Sequence, residues 1–375
     1  MAWTKKRLGD VCNIINGKNQ KDVLDINGKY PIFGSAGNVM GYANKYLCDQ
    51  GTVIIGRKGN ISTPIFIDEP FWNVDTAFGI YPKEKLMLPK FNYYQCLNID
   101  FKSRNKGTTI PSLVKTDLLT IDIYTTDSIP EQQAIVEKLD FAFDAIEKAK
   151  ANIEKNIENA KELFQSKLNE IFSQKGEGWE EKTLHEIILK TKNINPKEFP
   201  AKEFKYIDVS AVNRNTFLIA EYQTINSTNA PSRARKLVLK NDIIYATVRP
   251  TLTRVCIIEK EFDNQICSTG YVVLRHNEKI ILPKIIFYFL LTSEFYDAME
   301  KLQKGASYPA VTDNEIKMQI INFPTSKKEQ EKIITQLDLI SDQTNLLQEK
   351  YKQKLANLEE LKKSILEKAF KGELV

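Results

Sequence analysis

The sequence is poor in the residues that most metal sites and general bases require. Its 375 residues include only two histidines, His185 and His276, and five cysteines that form no CxxC pair. No zinc-ligand spacing is therefore available, and neither histidine lies in a pattern typical of a general base. The cysteines are predicted to be reduced residues of the core.

Motifs for nucleotide and acyl chemistry are also missing, since no GxGxxG, GxSxG or HExxH pattern occurs. The segment GTVIIGRKGN at 51–60 has two glycines at the spacing of a phosphate-binding loop. Arg57 and Lys58 stand, however, where that loop has Lys and Ser/Thr. We interpret the segment as a strand entering a turn whose basic pair could meet DNA phosphate. No metal site is predicted, and enzyme chemistry within this chain is unsupported.

Long apolar runs are absent as well. The longest, IIFYFLL at 285–291, is too short to span a bilayer, and the N-terminal MAWTKKRLGDV lacks the apolar stretch of a secretory signal. Apolar residues make up 42% and charged residues 27% of the chain, which is a globular composition. We therefore expect a cytoplasmic protein of two or three domains.

Two segments are predicted to form long helices. One lies between Pro130 and Gly176 and the other between Pro324 and Gly372, and neither contains an internal Pro or Gly. Apolar residues recur in both in steps of three and four, which is typical of a narrow coiled-coil seam. At 1.5 Å per residue, a helix of roughly 43 residues is about 65 Å long. The residues predicted to pack the helix pair are Ile135, Leu139, Ile146, Ile153, Ile157, Leu163, Ile333, Leu337, Leu347, Leu355, Leu358 and Leu361.

The second helix repeats the first. EQQAIVEKLD at 131–140 returns as EQEKIITQLD at 329–338, an offset of 198 residues that also relates KGTTIPSLV at 106–114 to KGASYPAVT at 304–312. In front of both helices, a Ser three residues before a Glu has the spacing of a capping box, which starts a helix. At the beginnings of the two copies the offset is 176, so the second copy carries 22 extra residues.

The chain is therefore predicted to be a tandem duplication of class α+β. A mixed α/β domain at 1–127 precedes a long helix at 128–175, and a second such domain at 176–325 precedes a long helix at 326–375. Short β-branched and aromatic runs separated by Gly, Pro and Asn predict the strands of both domains.

Polar and basic side chains interleave with aromatic ones in the predicted turns. Arg, Asn, Gln and Thr suit base edges, whereas Lys and backbone amides suit phosphates, and binding residues commonly lie on loops. The net charge of +5 favours a polyanionic partner only weakly. The candidate DNA-binding residues are Tyr42, Asn44, Arg57, Lys58, Asn60, Ser62, Lys106, Thr108, Thr109, Tyr245, Thr247, Arg249, Arg254, Lys304, Ser307 and Tyr308.

With the repeat in view, the whole chain resembles the specificity subunit of type I restriction-modification systems. The resemblance is carried by Trp3 with LGDV at 8–11, by KGTTIPSLVKTDLLTIDI at 106–123, and by IPEQ at 129–132, matched in the second half by GASYPAVT and EQEKIITQLD. The chain departs from a strict repeat where Pro130 adjoins Glu131, because Pro324 precedes Glu329 by five positions.

The resemblance implies a non-catalytic subunit with two target recognition domains that recognise an asymmetric, bipartite site in double-stranded DNA. It also implies that the helices pack as an antiparallel coiled coil, which serves as spacer and as platform for two modification subunits, with restriction subunits as further partners. S-adenosylmethionine, ATP and Mg would then belong to the partner subunits, and this chain would bind no cofactor.

A competing hypothesis is a coiled-coil scaffold or adaptor that binds protein partners without recognising DNA. A gel shift discriminates, because DNA affinity falls steeply with salt when several phosphates are contacted. A single-chain methyltransferase is disfavoured, since the Asn/Asp-Pro-Pro-Tyr/Phe signature is missing.

Overall fold

A computed structural model describes residues 3–374 of the chain. The chain divides into two compact units: the described residues up to Glu154 together with those from Lys352 onward, and Lys155–Tyr351. Each unit contains one mixed α/β module. Module 1 is defined as Thr4–Thr125 and module 2 as Trp179–Pro324.

Module 1 contains nine strands and three short helices, and a long helix follows it. The bounds are β1 Thr4–Arg7, α1 Leu8–Val11, β2 Cys12–Asn16, β3 Tyr30–Phe33, β4 Val39–Ala43, β5 Thr52–Gly56, β6 Ile65–Ile67, β7 Trp72–Asn73, β8 Ala77–Pro82, α2 Pro89–Leu97, α3 Lys115–Leu119, β9 Asp122–Thr125 and α4 Ile129–Phe172. The strands form a four-stranded sheet β2-β8-β5-β6, a three-stranded sheet β4-β3-β7 and the pair β1-β9.

Module 2 repeats this order with added elements, and the second long helix, α9, follows it. The bounds are β10 Trp179–Thr183, α5 Leu184–Ile187, β11 Ile188–Leu189, β12 Glu203–Ile207, β13 Gln223–Asn226, β14 Ala234–Val238, β15 Ile243–Ala246, β16 Val255–Ile257, β17 Gln265–Ser268, β18 Tyr271–His276, α6 Pro283–Phe289, α7 Ser293–Leu302, α8 Asp313–Lys317, β19 Ile320–Pro324 and α9 Lys327–Ala369. Its sheets are β11-β18-β15-β16, β13-β12-β17-β14 and β10-β19.

Corresponding strands pair in corresponding ways in the two modules. The sheet β2-β8-β5-β6 is antiparallel throughout, as is β11-β18-β15-β16. The second sheet of each module contains one parallel pair, β3 with β7 in module 1 and β12 with β17 in module 2. Strand β14 of module 2 has no counterpart in the three-stranded sheet of module 1. It lies in the copy that carries the extra residues.

In the first unit, the start of α4 and the end of α9 share one hydrophobic core with module 1. Ile135, Leu139 and Ile146 of α4 are buried there together with Leu366 and Ala369 of α9. Burying an aliphatic side chain of this size stabilises the fold by about 1.5–3 kcal/mol. The helix ends are therefore structural parts of the module rather than free extensions of it.

The second unit repeats this arrangement with the helices exchanged. The end of α4, with Leu168, Ile171 and Phe172, is buried in one core with Leu337 of α9, and Ile333 packs against that core.

The direction of the two long helices follows from ion pairs in the first unit. Glu147 of α4 pairs with Lys362 of α9, and Lys150 pairs with Glu359. Since position advances along α4 as it declines along α9, the helices run antiparallel. The predicted fold class is confirmed.

Three residues predicted to pack the helix pair do not do so. Leu163, Leu347 and Leu361 are 66%, 39% and 48% exposed. A strict seam of threes and fours includes them, but each helix turns its buried face toward a module, so that Phe164 and Ile365 pack against the cores instead. Ile153, Ile157, Leu355 and Leu358 are half-buried.

The capping box predicted at the start of α4 is only half formed. The Ser128 hydroxyl accepts a hydrogen bond from the Glu131 backbone N–H, at 3.4 Å. The Glu131 carboxylate, however, accepts from Trp3 Nε1 at 2.9 Å and from Thr126 Oγ1 at 2.6 Å. Glu131 therefore links Trp3, which directly precedes β1, to the start of α4. In the first turn of α9, the Glu329 carboxylate pairs with Lys332 at 2.8 Å.

Both helices are close to the expected length, with 44 residues in α4 and 43 in α9. The compact units divide the chain inside these helices, and the predicted domain boundaries at 127, 175 and 325 remain predictions. Within residues 3–374, no helix combines the length and the apolar character that a membrane crossing needs.

Candidate DNA interface

In module 1, the turn after β5 is bonded to the loop that precedes α3. The Gly59 N–H donates to the Pro111 carbonyl oxygen at 2.9 Å, and the Leu113 N–H donates to the Arg57 carbonyl oxygen at 2.9 Å. We call the two segments, 57–62 and 106–113, the paired loops of module 1. The backbone ladder between them brings together candidates that lie about fifty residues apart in sequence.

Most candidate side chains on the paired loops of module 1 face solvent. Asn60 is half-buried, and the Arg57 guanidinium lies 5.8 Å from the centroid of the Phe78 ring. The exposed candidates are Arg57, Lys58, Ser62, Lys106, Thr108 and Thr109. The result is a surface on which three cationic groups and two hydroxyls of exposed threonines are available to an anionic partner.

Tyr42 and Asn44 belong to a different part of module 1. Tyr42 lies on β4 of the three-stranded sheet and is 48% exposed, and Asn44 directly follows that strand. Both are exposed, but the hydrogen-bond ladder of the paired loops does not include them. Their predicted contact with DNA stays a prediction, separate from that of the paired loops.

Module 2 has the same ladder at the corresponding positions. The Arg249 N–H donates to the Pro309 carbonyl oxygen at 2.6 Å, and the Val311 N–H donates to the Thr247 carbonyl oxygen at 2.9 Å. Residues 247–254 and 304–311 are the paired loops of module 2. Four of the candidates on them are exposed: Arg249, Lys304, Ser307 and Tyr308.

Two candidates of module 2 are wrong as surface contacts. Tyr245 has 0% exposure, and its hydroxyl donates to the Pro250 carbonyl oxygen at 2.6 Å. Thr247 is also buried, and its hydroxyl donates to the Gly270 carbonyl oxygen at 3.0 Å. The interleaving of polar and aromatic residues here comes from a buried strand, whose Tyr needs an internal hydrogen-bond partner.

Arg254 is half-buried and has a structural role. Its Nη1 donates to the carbonyl oxygens of Ser210 and Val212, each at 2.9 Å. A guanidinium that binds two carbonyl oxygens of its own module has fewer N–H groups left for a ligand. Arg254 thus holds the 210–212 segment, and its predicted contact with DNA stays a prediction beside this structural role.

Sequence reasoning missed the residue that holds each long helix to its module. In module 1 this is Gln132, which is fully buried. Its Nε2 donates to the carbonyl oxygens of Leu86 at 3.0 Å and Thr126 at 2.8 Å, and its Oε1 accepts from the Leu88 N–H at 2.8 Å. One side chain thereby satisfies three backbone groups from two separate segments.

Gln330 makes the same set of bonds in module 2. Its Nε2 donates to the carbonyl oxygens of Ile280 at 3.0 Å and Pro324 at 2.9 Å, and its Oε1 accepts from the Leu282 N–H at 2.8 Å. Gln330 is also fully buried. The signal in the sequence was the EQ pair that begins both repeats, but the pattern alone does not show that Gln faces inward.

An aspartate about two helical turns after each glutamine also holds the long helix to its module. Asp140 accepts from Tyr94 Oη and from Lys90 Nζ, the latter at 2.8 Å. The pKa of Tyr94 is held far above its ordinary value by burial first and then by this carboxylate. The tyrosine therefore stays a neutral donor over the whole physiological range.

Asp338 repeats this contact in module 2. It accepts from Tyr288 Oη at 2.5 Å and from Lys284 Nζ at 2.5 Å. Burial followed by the Asp338 hydrogen bond likewise holds the pKa of Tyr288 far above its ordinary value. The first turns of α4 and of α9 are thus held to their modules in the same way, by a buried glutamine and by an aspartate that binds a tyrosine and a lysine.

The five cysteines are buried and unpaired, as predicted. Burial raises the pKa of Cys12, Cys48 and Cys267 to about 12, so these thiols stay protonated and unreactive near neutral pH. Across the described part of the chain, no cluster of His, Cys, Asp or Glu has the arrangement of a metal site.

Comparison with known proteins adds a family to this geometry. A family model described as "Type I restriction modification DNA specificity domain" matches residues 2–159 and 176–357. The Type I restriction enzyme EcoDI specificity subunit of Escherichia coli is 25% identical over 417 aligned positions, which cover 99% of this chain and 88% of the relative. The EcoBI specificity subunit of the same organism is 21% identical, covering 100% of this chain and 86% of the relative.

Two solved structures share the fold. One, described as "Structural basis underlying complex assembly and conformational transition of the type I R-M system", superposes with a TM-score of 0.79 at 17% identity and covers 99% of this chain and 98% of the other. The HsdS subunit from Thermoanaerobacter tengcongensis superposes with a TM-score of 0.60 at 18% identity, covering 99% and 97%.

Proposed function

The chain belongs to the family of type I restriction modification DNA specificity domains, and from that premise we propose that it is the DNA-recognising specificity subunit of a type I restriction-modification complex. Curated relatives covered over most of their length carry the name of that subunit. In this proposal each module recognises one half of a bipartite site in double-stranded DNA.

The observation that carries the proposal is the duplicated docking of the long helices. Gln132 and Gln330 each satisfy three backbone groups of their own module. A contact of this kind fixes the helix start relative to its module, because all three partners of the glutamine side chain are backbone atoms. Each module is thus docked on the start of the long helix that follows it, and the chain carries two recognition surfaces, one in each module.

The recognition surfaces themselves support an asymmetric target. The paired loops of module 1 present Arg57 and Lys58 where those of module 2 present a buried Thr247 and a half-buried Val248. Different side chains on the same backbone ladder offer different hydrogen bonds to base edges. The two half-sites are therefore proposed to differ in sequence.

The chemistry of the complex is proposed to lie outside this chain. Two modification subunits would dock on the helices and supply S-adenosylmethionine-dependent adenine methylation, and restriction subunits would supply ATP- and Mg-dependent translocation and cleavage. This chain would contribute recognition without a cofactor of its own and would act in the cytoplasm.

DNA binding is tested with the purified full chain and labelled duplexes of mixed sequence. If the chain contacts about six phosphates, its affinity falls roughly a thousandfold between 50 and 200 mM salt. The double variant Lys58→Ala with Lys106→Ala should bind more weakly and show a shallower salt dependence. Lys148→Ala with Lys363→Ala removes the same charge from exposed positions of the long helices and should bind as the wild type does.

A scaffold that binds only proteins would give no salt-dependent shift with any of the duplexes. Equal losses in both double variants would likewise contradict the assignment of the paired loops, since they would show a non-specific effect of net charge.

The spacing of the half-sites is proposed to depend on the long helices. Inserting four residues after Asn156 should change the tolerated spacer between the half-sites, or stop assembly, without changing the half-site sequences. An active complex with an unchanged spacer would remove this part of the proposal.

A further inference from the structure

Arg249 occupies a backbone conformation that arginine rarely adopts. Its φ is 51° and its ψ is 57°, in the left-handed region, and Thr253 has φ 49° and ψ 50°. A Cβ atom makes this region unfavourable for residues other than glycine. The single turn between them, Pro250–Leu252, is thus enclosed by two strained residues.

The surrounding module holds this conformation in place. The buried Tyr245 hydroxyl donates to the Pro250 carbonyl oxygen at 2.6 Å, and the Arg249 N–H donates to the Pro309 carbonyl oxygen at 2.6 Å. Strain of this kind persists only where the neighbouring structure imposes it, and it is concentrated at functional sites. The conformation of this turn is therefore imposed by the hydrogen bonds of module 2.

Module 1 builds the same turn without strain. Gly59 stands at the position of Arg249, with φ at 83°, and its N–H donates to the Pro111 carbonyl oxygen at 2.9 Å. An added Cβ at Gly59 would meet nothing within 4 Å. A glycine adopts this left-handed conformation without the Cβ penalty, so the backbone of the turn does not explain why module 2 has an arginine there.

The Arg249 side chain is held in a definite place on the surface. Its guanidinium carbon lies 5.0 Å from the centroid of the Tyr308 ring, and Tyr308 is 72% exposed. Its Nη2 also donates a long hydrogen bond to the Ser307 carbonyl oxygen, at 3.5 Å. Stacking on an aromatic ring restrains a guanidinium, and of its five N–H groups those not bonded to Ser307 remain available to donate. The corresponding residue of module 1 is Ile110, which is 59% exposed and offers no such platform.

We propose that Arg249 is a specificity-determining residue of module 2, which recognises guanine in one half-site through the O6 and N7 acceptors, and that Tyr308 positions it. This rests on the proposed function. A guanidinium edge donates two parallel hydrogen bonds that match these acceptors in the major groove. Module 1 has Gly59 and Ile110 at these places, so the contact is particular to one half-site.

The test is selection from a duplex library with a fully randomised central stretch, using the purified full chain. The wild type should enrich a bipartite motif with at least one strongly preferred guanine in one half. Arg249→Gly should reduce that preference by about 5- to 150-fold, the discrimination expected for one bidentate contact, and leave the other half unchanged. Tyr308→Ala should weaken the same position less.

The glycine variant is expected to fold, because glycine relieves the left-handed strain and module 1 already uses it. Its midpoint of thermal unfolding should be no lower than that of the wild type. Arg249→Lys separates base recognition from phosphate contact: it should retain overall affinity but lose part of the guanine preference, since lysine lacks the planar fork. Arg214→Ala, which removes an exposed arginine of the same module, should leave the motif unchanged.

A wild-type motif that Arg249→Gly reproduces at every position would overturn the inference while leaving the proposed function intact. The same holds if Arg249→Gly lowers affinity uniformly across sequences, because that is the behaviour of a phosphate contact. A wild-type chain that enriches no bipartite motif would instead overturn the proposed function, and the inference with it.

Discussion

Gln132 in module 1 and Gln330 in module 2 make the same three hydrogen bonds, whereas the paired loops of the two modules differ in nearly every exposed side chain. Asp140 and Asp338 likewise repeat one contact with a tyrosine and a lysine. The duplicated chain has thus kept the contacts that dock each helix and has diverged where a ligand would be recognised. The docking contacts and the paired loops are separate parts of each module.

The helix pair itself is less symmetric than the docking contacts. Glu147, Lys150, Glu359 and Lys362 form what we call the ion ladder of the first unit. The positions 198 residues after Glu147 and Lys150 hold Asn345 and Gln348, which carry no charge. The first unit therefore uses an electrostatic contact at a place where the repeat has changed its residue types.

The largest expected effect is at the docking glutamines. Gln132→Leu removes one buried side chain and leaves three backbone groups unpaired, which should cost about 2–5 kcal/mol of unfolding free energy. Gln330→Leu should cost a similar amount in the second unit. The neighbouring Gln133→Leu is exposed and should change stability by less than about 0.5 kcal/mol.

Pulse labelling of thiols during urea unfolding measures this effect unit by unit, since Cys12 and Cys267 are buried in different units. Gln132→Leu should lower the urea concentration at which Cys12 is labelled and affect Cys267 less. If both thiols respond equally to either variant, the two docking contacts are not the independent, equivalent devices described above.

A smaller effect is expected at the tyrosines. Tyr94→Phe removes a hydrogen bond to Asp140, and Tyr288→Phe removes the equivalent bond to Asp338. Each should cost about 1.5 kcal/mol, as is usual for a hydrogen bond to a charged group. Equilibrium unfolding should give two costs that agree within about 0.5 kcal/mol, and a cost confined to one module would break the symmetry of the docking.

The smallest effect is that of the ion ladder on pH dependence. The hydrogen bond from Lys362 is the main cause that lowers the pKa of Glu147 below its ordinary value. A carboxyl whose pKa is lowered by folding stabilises the fold above its unfolded pKa, and the contribution is lost as pH falls through the folded pKa. Because Glu147 is largely exposed, solvent screening limits the contribution to about 0.5 kcal/mol or less.

The measurement compares Glu147→Gln with the wild type from about pH 6 to about pH 3, around the ordinary pKa of a glutamate. The wild type should be slightly more stable at the upper end, and the difference should vanish at the lower end. A difference that grows as pH falls would have the wrong sign for a carboxylate held by a lysine.

The sequence was sufficient for the duplication, the long helices and the strand-rich modules, because a repeat and a helical period are properties of the chain itself. It misassigned Tyr245 and Thr247, since a buried strand and an exposed turn share the same residue types and only the tertiary fold decides which faces solvent. It overcounted Leu163, Leu347 and Leu361, because the apolar period does not show that each helix also packs against a module. It did not show that Gln132 holds the helix to its module, since two of its three backbone partners, in Leu86 and Leu88, lie more than forty residues away in sequence.

The central claim is that the two modules recognise DNA independently, and it is tested most directly by exchanging residues 1–125 for the first module of another family member. The hybrid chain is expressed with its modification subunits, and the methylated sites are determined by methylation-sensitive sequencing. The account predicts that one half of the bipartite site changes while the other half and the spacer stay as they are. A change in both halves would contradict it.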